Sequence, residues 1–436
     1  MRVDIFNEEA ENGADGLANA SAYPPSVQPG IPKLPPTPKG WRRVSLGSHL
    51  HEVRRPVRLE DDLEYTLVTV KRSRGGVVKR GVLRGSEIKT TSQFLVKAGD
   101  FLISKRQIVH GACGVVPPEL DGAVVSNEYA VLGTDGAIDL NFLRYLAETK
   151  YFQQTCFHSS VGVHVEKMVF RTEKWLSWSF NIPPREIQIS LCELLEVWDR
   201  AIAVENQLTS LGERQKRALT QKLLPNLRGS NVPSGWGITH LCDLAYINPS
   251  RPLRPPNGRV SFVPMKAVSE AGHLFRLEEC DYERVSSGLP SFRDGDILVA
   301  KITPCFENGK GALVSRLTNG IGFGSTEFHV LRPKQDVPGE LIAQITRSPQ
   351  FRMRGATEMV GSAGQRRVSA DFIRSFRFAC PLRPEHREAI SVALRVADTL
   401  LRSQRASGVA LRRQRLLLIN DLLTGRKSVK HQRATN

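Results

Sequence analysis

Gly99-Asp100-Phe101-Leu102-Ile103-Ser104-Lys105 returns 196 residues later as Gly295-Asp296-Ile297-Leu298-Val299-Ala300-Lys301. In both stretches a glycine-aspartate pair suited to a tight turn opens a short apolar run, and a lysine closes it, the pattern of a buried strand between two loops. Other landmarks recur around this pair in the same order. Trp41 matches Trp236, Ser126-Asn127-Glu128-Tyr129 matches Ser325-Thr326-Glu327-Phe328, and Ile182-Pro183-Pro184 matches Cys380-Pro381-Leu382. Gln215 within Arg214-Gln215-Lys216-Arg217 matches Gln414 within Arg413-Gln414-Arg415, and Leu223-Leu224 matches Leu422-Leu423. The separations drift only from 195 to 199 residues, so one unit is written twice with a few small loop insertions.

Each copy divides into a strand-rich block and a long helix. Strand candidates are Tyr65 to Val70, Asp100 to Ser104, Ala123 to Val125, Phe262 to Val263 and Asp296 to Ala300, runs bounded by glycine, proline or aspartate. After Pro184 the period changes: Leu191, Leu194, Trp198, Ala201, Val204, Leu208, Leu211, Gln215 and Ala218 recur at steps of three and four until Pro225. After Pro384 the same spacing joins Ile390, Leu394, Ala397, Leu401, Gln404, Gly408, Leu411, Arg415, Leu418 and Leu422, ending near Gly425. About 40 residues of helix span about 60 Å, and so narrow an apolar seam requires a partner helix. The expected fold is α+β: two similar globular α/β blocks separated by a pair of long antiparallel coiled-coil helices, with a pseudo-twofold internal repeat. The expected boundaries are a disordered proline-rich leader over 1–40, blocks over 41–183 and 228–382, helices over 184–227 and 383–426, and a basic tail over 427–436.

The 436 residues carry 61 lysines and arginines against 44 acidic residues, a formal charge of +17, which favours a polyanionic partner. No apolar run is long enough to span a bilayer and no secretory leader is recognisable, so a cytoplasmic location is expected. Seven cysteines stand singly and the histidines lack metal-ligand spacing, so reduced thiols and no metal site are expected. Catalytic motifs are weak. There is no G-x-x-x-x-G-K-[ST] loop for ATP. Gly322-Phe323-Gly324 looks like a fragment of a cofactor loop, but Asn181-Ile182-Pro183-Pro184 has the wrong order for the N-P-P-Y motif of a methyltransferase. Glu87-Ile88-Lys89 with Asp61 or Asp62 imitates a nuclease trio of a kind that charged sequences supply often.

The opening Trp41-Arg42-Arg43-Val44-Ser45-Leu46-Gly47, the Gly-Asp strands, the Ile-Pro-Pro junction and the helix endings Gln215 to Leu224 and Leu423-Thr424-Gly425 resemble specificity subunits of type I restriction-modification enzymes. The first helix departs from that pattern in ending Leu224-Pro225-Asn226, and the proline-rich leader lies outside it. The resemblance implies a non-catalytic chain whose two blocks are target-recognition domains, each reading half of a split, asymmetric site on double-stranded DNA. It implies helices that set the spacing and dock two methylation subunits. Restriction subunits would join for cleavage, and S-adenosylmethionine, ATP and Mg would be bound by those partners. The alternatives are a self-contained DNA methyltransferase or nuclease with its own reading domains, and a scaffold whose basic surface serves RNA.

DNA contact needs cations for phosphates and planar hydrogen-bonding groups for base edges. In the first copy the candidates are Lys71, Arg72 and Arg74, then Lys105, Arg106, Gln107 and His110, and His164 in the loop from Gly162 to Lys167. In the second they are Lys301, Thr303, Asn308 and Lys310, and Gln365, Arg366 and Arg367 in a glycine-rich loop.

Overall fold

A computed structural model describes residues 24, 26–28, 30–90, 92–224, 232–275, 277–362 and 364–427. The chain forms two compact units. The first takes the described residues up to Glu205 together with those from Ser407 onward, and the second takes Asn206–Ala406. The boundary falls inside both long helices, α1 (Arg185–Leu223) and α2 (Pro384–Leu423).

Among the described residues, the first unit contains an antiparallel sheet in the order Leu50–Glu52, Tyr129–Thr134, Phe101–Ser104, Cys113–Val115. The second unit repeats that order with Ala245–Ile247, Phe328–Pro333, Ile297–Ala300 and Gly311–Leu313. Each unit also has a second sheet built on a parallel pair, Glu64–Val70 with Val124–Ser126 and Arg259–Val263 with Ile321–Gly324. Trp236–His240 pairs with Arg377–Pro381 as Arg42–Ser45 pairs with Ser179–Ile182. The duplication therefore extends from the landmarks to the strand order.

The Gly-Asp turns show why those two residue types recur. Gly99 and Gly295 both hold φ at +89°, a conformation that costs a residue with a Cβ. The aspartate that follows is buried in each case, and its carboxylate accepts the backbone N–H of the residue three before it, Lys97 or Arg293, at 2.7 Å. A two-pronged arginine neutralises each carboxylate: Arg55 at 2.6 and 3.1 Å from Asp100, and Arg332 at 2.9 and 2.7 Å from Asp296. The two arginines occupy unrelated positions in their repeats, so the same electrostatic requirement is met from a loop in one unit and from the strand Phe328–Pro333 in the other.

The helices belong to the cores. In the first unit Leu191, Cys192 and Leu195 of α1 share a buried cluster with Ile419, Leu422 and Leu423 of α2. In the second, Leu219 and Leu223 of α1 pack against the cluster holding Ile390 and Leu394 of α2. Within each unit, then, the early part of one helix lies antiparallel against the late part of the other. In the first unit Arg415 binds Asp199 at 2.6 Å and Glu148 at 2.6 and 3.1 Å, and the Tyr145 hydroxyl donates to Asp199 at 2.7 Å. In the second unit Lys216 is ion-paired with Asp398, to which Gln344 donates at 2.6 Å. Asp199 and Asp398, Arg415 and Lys216, and Tyr145 and Gln344 are equivalent positions, each 199 residues apart.

The expectation of a disordered leader needs correction where the chain is described; residues 1–23 lie outside the described residues. The Ser26 hydroxyl donates to the Val109 carbonyl at 2.6 Å, and Val27 and Leu34 pack on the core of the first unit. The buried Asn181 receives Thr37 and donates to the Pro35 carbonyl at 3.3 Å and to the Thr424 carbonyl at 3.0 Å. Prolines explain the difference: a stretch already restricted in φ loses less entropy on docking than composition alone suggests.

Candidate nucleic-acid interface

In the first unit the strand Phe101–Ser104 ends in a turn that projects Lys105 to His110, and the turn between Val70 and Val77 comes alongside. Ser73 donates its N–H to the His110 carbonyl at 2.7 Å and Arg74 donates to that of Gly111 at 2.8 Å. This contact brings together groups more than thirty residues apart. Arg72 Nε donates to Gln107 Oε1 at 2.8 Å, and Arg72 and His110 lie 3.2 and 3.0 Å from the two oxygens of Glu166. Arg106 is ion-paired with Glu128, and Lys105 donates to the Asn127 carbonyl at 3.3 Å. Lys71 and His164 are exposed on the same loops. Arg74 turns inward beneath Gly111, and burial lowers its guanidinium pKa. Burial likewise lowers the pKa of His110, with Glu166 opposing the shift.

The second unit builds the corresponding region from different residues. Lys301 donates to the Thr326 carbonyl at 2.8 Å, as Lys105 does to Asn127, and burial lowers its pKa. The loop with Gln365, Arg366 and Arg367 lies against it: Thr303 N–H donates to the Arg366 carbonyl at 3.0 Å, and Val368 N–H to that of Lys301 at 3.0 Å. Arg367 forks onto Glu327 at 2.8 to 3.1 Å and Arg366 reaches Glu307 at 3.2 Å. Asn308 donates to Glu270 at 2.7 Å, Gln365 is exposed, and Lys310 is half-buried at the far end of the turn. Beside Lys301 opens a cleft of about 420 Å³ lined by Asn248, Arg251, Ser291, Thr326 and Phe328.

Beneath this loop His329 is buried. Its Nε2–H donates to the Val368 carbonyl at 3.0 Å, and its Nδ1 accepts from Asn248 at 3.2 Å. Burial holds its pKa down at about 4, so the imidazole is neutral and serves as an internal strut.

Screening the sequence for cations and amides found one side of this surface and missed its carboxylates. Glu166, Glu270 and Glu307 carry no local signal. Glu128 and Glu327, however, stand at the same place in the Ser-Asn-Glu-Tyr and Ser-Thr-Glu-Phe landmarks, and that coincidence is readable.

The weak catalytic motifs have local structural explanations. Gly322 lies in the strand Ile321–Gly324, where a Cβ would stand 2.2 Å from the Phe292 ring, so the glycine answers a packing need. Glu87 accepts the N–H of Arg84 at 2.8 Å, closing a short turn. Among the described residues, no three His, Cys, Asp or Glu side chains gather as a metal site, and no helix is long and apolar enough to cross a membrane.

No family model matches the chain. Solved structures do: it aligns with the HsdS subunit from Thermoanaerobacter tengcongensis at a TM-score of 0.52 and 15% identity, over 89% of this chain and 98% of that one. The chain has the fold of a type I specificity subunit. A chain from a study of assembly and conformational transition of the type I R-M system shares that fold at a TM-score of 0.61 and 15% identity, over 88% and 98% of the two chains. Sequence likeness is stronger but shorter. Over 184 residues, 41% of this chain and 31% of the relative, it is 36% identical to the type I restriction enzyme EcoAI specificity subunit of Escherichia coli. Over 190 residues, 43% and 32% of the two, it is 33% identical to the EcoEI specificity subunit of the same organism. The matched stretch thus spans about a third of the length of these specificity subunits.

Proposed function

We propose that this chain is the DNA-reading subunit of a type I restriction-modification complex, itself without catalytic chemistry and working in the cytoplasm. One observation carries the reading: two units repeat a single strand order, yet they build the surface beside the repeated lysine from different side chains. One frame with two different faces suits a split, asymmetric DNA site, one half to each unit, and the likeness to two specificity subunits supports the same conclusion.

In this reading Lys71, Lys105, Lys310 and His164 supply phosphate contacts, and Arg72, Arg106, Gln107, Gln365, Arg366 and Arg367 face base edges. Arg74, His110, Lys301, Thr303 and Asn308 complete the contact loops. Two methylation subunits, and restriction subunits for cleavage, bring S-adenosylmethionine, ATP and Mg. The helices offer those partners exposed apolar side chains: Val197 and Val204 in the first unit, Leu208, Leu211 and Leu400 in the second. Apolar side chains set out along a helix in this way suit docking to a partner protein.

The test is to recover the tagged chain from its host and map methylated adenines with and without its gene. Co-recovery of methylation subunits and loss of one split motif on deletion is the expected result. A chain that purifies alone, with the methylation map unchanged, overturns the proposal.

A further inference from the structure

The arginines on the candidate interface are held by carboxylates. Arg106 rests on Glu128, Arg72 on Glu166 and Arg367 on Glu327. Glu128 and Glu327 are equivalent positions in the two repeats, but their arginines are not: Arg106 follows the repeated lysine directly, whereas Arg367 arrives from the later glycine-rich loop. Two units have thus converged on one acid-base couple at one point of the frame. Folding stability does not account for this, because the members of these pairs retain a quarter to nearly two thirds of their side-chain exposure, and exposed ion pairs contribute little.

Chemistry on a DNA surface does account for it. A bare guanidinium in a chain of charge +17 would bind any phosphate, and such binding carries no sequence information. A carboxylate in contact with that guanidinium changes the balance. If the arginine turns to the backbone, the glutamate is left facing a polyanion. If the couple meets base edges instead, arginine donates to N7 or O6 of guanine while glutamate accepts from an exocyclic amino group of cytosine or adenine, and both remain satisfied.

We infer that Glu128, Glu166 and Glu327 are specificity-determining residues: they withhold the interface arginines from backbone phosphates and reserve them for base pairs that present an acceptor beside a donor. This rests on the DNA-reading function proposed above and adds a residue-level mechanism to it.

The experiment uses the full chain, wild type and the triple variant Glu128→Gln, Glu166→Gln, Glu327→Gln, with Glu213→Gln as a control that breaks the exposed helix pair to Arg405. Binding to a fluorescent random-sequence 30-bp duplex is titrated at several salt concentrations, and a randomised duplex library is selected and sequenced in parallel. The triple variant should bind random duplex about tenfold more tightly or better, with a salt slope steeper by about 0.9 for each arginine released to phosphate. Its enrichment of the motif selected by wild type should fall at the same time, and the control should match wild type on both readouts. Wild-type enrichment of a motif, with random-duplex binding of the variant unchanged or weaker, overturns this inference and leaves the function standing. Enrichment of no motif by wild type overturns both.

Discussion

Replacing Arg415 by methionine removes the cation that joins α2 to Asp199 and Glu148 within the first unit, while roughly preserving its volume. The Arg415 side chain is 15% exposed, Glu148 17% and Asp199 36%. Asp199 is wet enough to be worth at most about 1 kcal/mol in this pair, and it keeps the Tyr145 hydroxyl. Glu148 is not so placed: its carboxylate would stay in a largely dry position without its guanidinium, and breaking such a pair from one side costs about 3–5 kcal/mol. The expected loss is about 3 kcal/mol, or about 6–12 °C in the melting transition of a unit of this size. Scanning calorimetry of wild type, Arg415→Met, Glu148→Gln and the double variant measures it. The double variant should recover most of the loss, because the damage comes from the stranded charge and not from the missing pair. Arg415→Lys should cost only about 1 kcal/mol, since lysine does the equivalent work at Lys216. An Arg415→Met protein as stable as wild type, or a double variant showing the sum of the single losses, refutes the argument.

His329 predicts a pH effect whose sign follows from its depressed pKa. Between the usual value near 6.5 and about 4, the unfolded chain takes up a proton that the folded one refuses, so stability is full above pH 6.5 and falls as pH drops towards 4. Between pH 7.5 and pH 5 urea melts should show a loss of about 2 kcal/mol from this group, and a His329→Gln protein should lack that component; equal slopes in the two proteins would contradict the assignment. Asp296→Asn should destabilise the second unit by about 3 kcal/mol by leaving Arg332 without its forked partner, and Asp100→Asn should act comparably on the first through Arg55. Chemical denaturation checks both, and an effect below about 1 kcal/mol in either would mean that the buried aspartate is held mainly by its turn.

What could be read from the residues was whatever is local or repeated. The Gly-Asp turns, the core strands and the extents of α1 and α2 all follow from period and punctuation, and the helices begin within a residue of their prolines. The long-range partners were not legible. Glu166 sits 94 residues from Arg72, and the arginine opposite each buried aspartate comes from a different place in each repeat, so comparing the copies misleads just where they have compensated differently. The leader failed for another reason. Composition measures how much apolar surface a segment can bury, whereas the described residues between 26 and 40 add, to the packing of Val27 and Leu34, hydrogen bonds made by hydroxyls and carbonyls, as at Ser26, Pro35 and Thr37.

The polarity of the helix couples bears on how such a gene can be rearranged. In both helices the aspartate comes early, at Asp199 and Asp398, and the matching cation comes late, at Lys216 and Arg415. A misaligned exchange that joined the start of one helix to the end of the other would still produce a helix with its acid first and its base last. Each unit takes its acid from the early half of one helix and its base from the late half of the other, so the two units place the same charge demand on the helix halves they hold.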